Sequence, residues 1–91
     1  MDRLSHAKEF VKNFRIKEYV YFIRCHDFVK IGLGRDPYAR LGQLQIGNPY
    51  LLELIHFHAC LDAVTEEKAL HEKYGQKWER GEWFKLSEIE I

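Results

Sequence analysis

The stretch EYVYFIRCHDFVKIG, residues 18–32, constrains the fold more than any other. Glu18 to Arg24 and Phe28 to Gly32 are two runs dense in β-branched and aromatic residues, which fit a pleated, half-buried surface. Only Cys25-His26-Asp27 separates them. That spacing predicts two strands joined by a tight turn. Strand side chains alternate between faces. Tyr19, Tyr21 and Ile23 therefore share one face, and Phe28, Lys30 and Gly32 share one face of the partner strand.

The elements around the hairpin follow from spacing and end signals. Leu4, Ala7, Phe10, Val11 and Phe14 recur at helical steps, so a helix is expected over about 4–15. Asp36 suits a helix N-cap and Pro37 the first helical position. That helix runs to about Leu44 or Gln45, and Gly47-Asn48-Pro49 is a turn. Leu51 to Cys60 is a third strand. Asp62 to Tyr74 is a second long helix, with Ala63, Leu70 and Tyr74 inward and Gly75 as its stop. Gly81 to Leu86 alternates apolar residues with charges, as a short strand or an extended segment over the core. The expected fold is α+β: a small three-stranded, mainly antiparallel sheet flanked by helices.

The 91 residues suffice for one domain with one modest core, so 1–91 is read as a single unit. No apolar run approaches the ~18 residues of a membrane span. Met1 to Phe10 lacks the apolar core of a signal peptide. A cytoplasmic protein with Cys25 and Cys60 as reduced thiols is the expectation. The net charge is zero, yet residues 1–52 carry nine Lys/Arg against five Asp/Glu, and residues 53–91 carry five against nine. That balance argues against a strong nonspecific grip on nucleic acid, while allowing a basic face opposite an acidic one.

The chemistry concentrates after the hairpin. Gly32 and Gly34 permit close backbone approach or an unusual dihedral. The helix that follows offers a positive N-terminal end that suits a phosphate. Lys30 and Arg40 can both point there, and a guanidinium fork matches phosphate oxygens. The alternative reading makes Lys30 and Arg40 solvated charges and the glycines turn formers.

These residues resemble the GIY-YIG nuclease superfamily. Tyr19-Val20-Tyr21 stands at the first motif and Lys30-Ile31-Gly32 at the second. Arg40 lies eight residues past Gly32, the family's spacing for its arginine. Glu67, in EEKALH, matches the family's metal-binding glutamate. GEWF, Gly81 to Phe84, and KIG are similar to a small stand-alone branch of phages and bacteria. The chain departs from the family at Tyr19, at Lys30, and at Leu44, where many members carry a histidine. His71, four residues past Glu67 on the same helical face, is the candidate substitute.

The resemblance implies a metal-dependent DNA endonuclease with DNA as partner and no membrane role. Mg²⁺ or Mn²⁺ would be held by Glu67. Tyr21 would be the general base, with Lys30 supplying a cation that favours its phenolate. Arg40 would pin the phosphate, and Tyr19 and His71 would complete the site. Products would carry a 5′-phosphate and a 3′-hydroxyl. A homodimer or a partner chain would supply specificity. The alternative is a catalytically inactive module of the same shape that binds nucleic acid or protein. Glu82 offers a second carboxylate near the metal, Trp83 and Phe84 base-stacking platforms, and Asn48 a DNA contact. Against each role stands a plainer one, and for these four it is favoured: Glu82 as a surface charge, Trp83 and Phe84 as core, Asn48 as a turn residue. Tyr19 and Tyr21 have a plainer reading as strand residues, Glu67 as a surface charge and His71 as a half-buried histidine. A separate cluster, His56, His58 and Cys60 with Cys25-His26 at the hairpin turn, offers zinc-ligand types on one strand face.

Overall fold

The hairpin forms as its alternation requires. In a computed structural model describing residues 18–86, β1 (Glu18–Cys25) pairs antiparallel with β2 (Phe28–Gly34), Tyr21 opposite Gly32 and Cys25 opposite Phe28. The turn proper is two residues, His26-Asp27. His26 takes the left-handed φ of 56° that such a tight reversal demands of its first residue. The helix expected over about 4–15 lies outside the described residues.

The remaining elements are α1 (Pro37–Gln45), β3 (Glu53–Cys60), α2 (Ala63–Lys73), β4 (Trp78–Arg80) and β5 (Trp83–Lys85). Both helices start on their aspartates: Asp36 accepts from the Ala39 N–H and Asp62 from the Thr65 N–H. After α2, Gly75 opens a short 3-10 turn rather than taking a left-handed stop. The α+β class stands, but the sheet has five antiparallel strands, not three, in the order β3-β1-β2-β5-β4. β5 lies within the alternating Gly81–Leu86 stretch read as a short strand or extended segment; β4, three residues long, is too short for alternation to declare it. Gly81, at φ 54°, turns them into a hairpin, and β5 then pairs with Phe28, Val29 and Lys30 of β2.

The two faces of β1 and β2 bury different helices. Val20, Phe22, Val29 and Ile31 pack with Phe84 and Leu86 on the side of α2, which contributes Ala63 and Leu70. Tyr21 and Ile23 pack on the other side with Leu41 and Leu44 of α1. Val20, Ile23, Val29 and Ile31 are wholly buried, each stabilising by about 1.5–3 kcal/mol relative to exposure. Where β1 meets β3, Phe22 faces His56 and Ile23 faces Leu54, so Ile55 is the extra residue of a bulge.

β5 covers β2 only as far as Lys30. Beyond it the edge of β2 is open, and Ile31 offers its amide and carbonyl there. Its N–H donates to the Glu82 carbonyl at 3.0 Å and its carbonyl accepts from His71 Nε2 at 2.8 Å. This seam between sheet edge, α2 and the β4–β5 turn is where the charged residues gather. Among the described residues no helix is long and apolar enough to cross a membrane.

Candidate active site

Gly32 is the floor of the gathering. A Cβ built there would stand 2.6 Å from the Tyr21 hydroxyl and 2.9 Å from Glu82 Oε1. Real side chains do not come so close, so only glycine lets a phenol and a carboxylate meet over this strand. Gly34 has no such constraint, its nearest contact being an ordinary 3.7 Å.

Tyr21 reaches Gly32 because the two are direct partners across the hairpin. Its side chain is 2% exposed. Burial pushes the phenol above its ordinary value of 10.0. The nearby Arg40 guanidinium pulls the other way, and the Glu82 and Glu67 carboxylates add to the rise. Arg40 is thus one cation that favours the phenolate. Lys30 is committed elsewhere: its Nζ lies 3.0 Å from Glu82 Oε1 and 5.7 Å from the centre of the Trp83 ring. It is the one buried charged side chain among the described residues. Arg40 itself is exposed and also donates to Gln43 Oε1 at 3.2 Å.

Glu67, His71 and Glu82 form a second layer. One ligand atom from each lies within 4.8 Å of the others. Glu67 and His71 are neighbours on one face of α2. His71 Nε2 must carry a proton to donate to the Ile31 carbonyl, so the neutral ring keeps its lone pair on Nδ1. The ring rests edge-on against Phe84, centroids 5.0 Å apart. Glu67 Oε2 is buried with no hydrogen-bond partner among the described residues. Burial, then the neighbouring Glu82 carboxylate, raise the Glu67 pKa; His71 and Lys30 oppose the rise. An unpartnered buried carboxylate oxygen, with a second carboxylate and an imidazole in reach, is a donor set that fits a divalent cation.

Five residues singled out from the sequence thus converge: Tyr21, Lys30, Arg40, Glu67 and His71. Tyr19 does not join them. It packs edge-on against Phe57 at 5.7 Å, and Phe57 packs on Tyr38 at 5.4 Å. Glu82 is the residue that reading as a surface charge missed; it bridges Lys30, Tyr21 and Glu67. The available signal was its place in GEWF, directly before the segment that adds to β2. A cavity of about 1060 Å³ lies elsewhere, under Glu72, Tyr74 and Trp78. Exposed Arg40 and the 38% exposed side chain of Glu82 face solvent instead, which suits contact with a long polymer.

The zinc-ligand types weighed as an alternative do not all come together. His26 stacks on Tyr50 at 4.3 Å, at the far end of β1 from Cys60. His56, His58 and Cys60 do share a neighbourhood, on the α2 side, and Glu66 joins them. The Cys60 thiol is pushed up to about 11 by burial and by Glu66. Asn48 is a turn residue, its Oδ1 accepting from the Tyr50 N–H at 2.9 Å.

A family model, the T5orf172 domain, matches residues 18–91. No curated protein and no solved structure matches the chain.

Proposed function

The chain belongs to the T5orf172 domain family, a domain of phage and bacterial proteins regarded as nuclease-like, and on that premise we propose that it is a metal-dependent DNA endonuclease of the GIY-YIG type. One observation carries the reading. Side chains from β1, β2, α2 and the β4–β5 turn meet around Gly32, and Glu67 holds a buried carboxylate oxygen with no hydrogen-bond partner among the described residues.

Glu67 would hold Mg²⁺ or Mn²⁺, with Glu82 and His71 in reach. A bound cation of this kind supplies Lewis-acid stabilisation at the scissile phosphate and the leaving 3′-oxygen. Arg40 has two tasks. Its exposed fork pins a phosphate and stabilises charge developing at phosphorus. The same guanidinium lowers the cost of ionising Tyr21. Tyr21 takes the proton of the attacking water, whose oxygen bonds to phosphorus as the P–O3′ bond breaks; the leaving 3′-oxygen takes a proton from solvent, giving a 5′-phosphate and a 3′-hydroxyl. Lys30 acts through Glu82: its ion pair fixes the carboxylate over Gly32. His71 ties α2 to the open edge of β2 and so positions Glu67. Tyr19 enters as packing. Sequence specificity falls to a second copy or another chain.

A second reading has its own support. Burial keeps the Tyr21 phenol protonated, and Lys30 is occupied by Glu82. Both suit a module that grips nucleic acid without cutting. Purified protein and supercoiled plasmid separate the two. The endonuclease nicks with Mg²⁺, stops in EDTA, and fails as Glu67→Ala or Tyr21→Phe. Salt-sensitive binding without nicking establishes the module instead. Neither binding nor nicking removes both.

A further inference from the structure

We propose that His58, Cys60 and Glu66 form a second metal site, one that takes Zn²⁺ and clamps the first turn of α2 to β3. The proposal is independent of the nuclease reading. It begins with H-x-H-x-C, which sets His56, His58 and Cys60 two residues apart on one face of β3. Asp62 caps α2 directly after the strand, and the first turn folds back so that Glu66 stands over His58.

The donor atoms are already close. One ligand atom from each of His58, Cys60 and Glu66 lies within 4.8 Å of the others. Zinc–ligand lengths of about 2.0–2.3 Å imply tetrahedral edges of roughly 3.3–3.7 Å, so rotamer adjustments of about 1 Å, which widen the 2.5 Å His58–Glu66 pair to admit the ion, form the site. His58 Nε2 faces Glu66 Oε1, and His58 Nδ1 lies 3.0 Å from His56 Nε2. A metal on Nε2 places the proton on Nδ1, where it donates to His56. That is the usual arrangement for a ligating histidine, whose second nitrogen is held by an orienting partner. Nitrogen, sulfur and carboxylate oxygen together select zinc over magnesium or calcium. The side chains of His58 and Glu66 are 35% and 46% exposed, which leaves a path in and a fourth position for water. The Cys60 thiol donates to the His58 carbonyl at a long 3.8 Å.

The clamp bears on the other site through adjacency. Glu66 and Glu67 are neighbours in sequence and about 100° apart around α2. Fixing Glu66 on β3 fixes the turn that carries Glu67 toward Gly32.

Cobalt titration of the metal-free chain tests this. Tetrahedral Co²⁺ on a thiolate gives visible d–d bands and a sulfur-to-cobalt charge-transfer band. One Co²⁺ per chain with that band, displaced by equimolar Zn²⁺, is expected. Cys60→Ser loses the band, and His58→Gln or Glu66→Gln loses stoichiometric binding. His56→Ala keeps the band and weakens affinity about 10–100-fold. Glu67→Gln leaves the sulfur-to-cobalt charge-transfer band unchanged, whatever it does to cobalt held away from sulfur. A wild-type chain without the band, or a band that survives Cys60→Ser, overturns the site. Should Cys60→Ser fail to fold, alkylation of the unaltered chain decides: zinc slows modification of Cys60 and not of Cys25. Equal rates with and without zinc overturn the proposal.

Discussion

Replacing Glu67 by glutamine should stabilise the protein while it destroys the activity. Glu67 Oε2 is buried without a partner among the described residues, and the Glu82 carboxylate is beside it. Burial and Glu82 hold the Glu67 pKa above its ordinary value. For an acid raised in the folded state, that state binds the proton more tightly than the unfolded chain. Stability is therefore lost as pH rises from the ordinary carboxylate value through the raised one. Above that window the charged form is a standing cost. An unsatisfied buried polar group costs about 1–3 kcal/mol. Glutamine removes the charge, keeps the shape, and can donate its amide to Glu82. Each kcal/mol moves the melting temperature of a domain this size by roughly 4–8 °C. Glu67→Gln should thus melt at least about 4 °C above wild type at pH 8 in EDTA, and the gap should close near pH 4. Metal should reverse the order. At a hundred times its Kd, Mg²⁺ or Mn²⁺ stabilises wild type by about 2.7 kcal/mol, and the glutamine variant gains little. Calorimetry with and without metal reads all of this. A variant that melts at or below wild type in EDTA, or that keeps the metal-induced shift, refutes the reasoning.

Gly32→Ala should abolish plasmid nicking, because the new Cβ occupies the space of the Tyr21 hydroxyl and Glu82 Oε1; a circular-dichroism spectrum like that of wild type shows that the loss is local. The nicking rate should climb toward a tenfold rise per pH unit between about pH 7 and 9, because the base is a phenol raised above 10.0 by burial. Tyr21→Phe should flatten that profile, whereas a slope that survives in the phenylalanine variant assigns the base elsewhere. His71→Ala should destabilise by about 1–3 kcal/mol in denaturant melts, since the Ile31 carbonyl loses its partner, and should lower nicking through Glu67.

The hairpin, both capped helices and the third strand were legible in the sequence because each has a strong local signal. Tyr21, Val20 and Ile31 declare strands by type, and Asp36-Pro37 and Asp62 declare helix starts. The alternation of Gly81 to Leu86 shows β5 as a short extended segment, but β4 and the hairpin it makes with β5 are not legible. Three residues hold less than two full alternations, and its pairing with β2 is a long-range event. Glu82 went astray for the same reason: only that pairing carries it over Gly32. Gly32 was read correctly as a point of close approach, but what approaches it, a phenol and a carboxylate, is a tertiary fact. Lys30 suggests itself as a cation for Tyr21 because the two share a hairpin. Alternation places them on one face; the structure pairs the ammonium with Glu82 and adds Arg40 as a cation that favours the phenolate.

The central claim is that Glu67 and Glu82 hold a divalent cation beside the Tyr21 phenol. Crystals soaked in Mn²⁺ and examined by anomalous diffraction test it most directly. The account predicts one strong peak within coordination distance of Glu67, bordered by Glu82 and His71 and lost in Glu67→Gln. No peak there at saturating Mn²⁺, or a peak that remains in the variant, contradicts it.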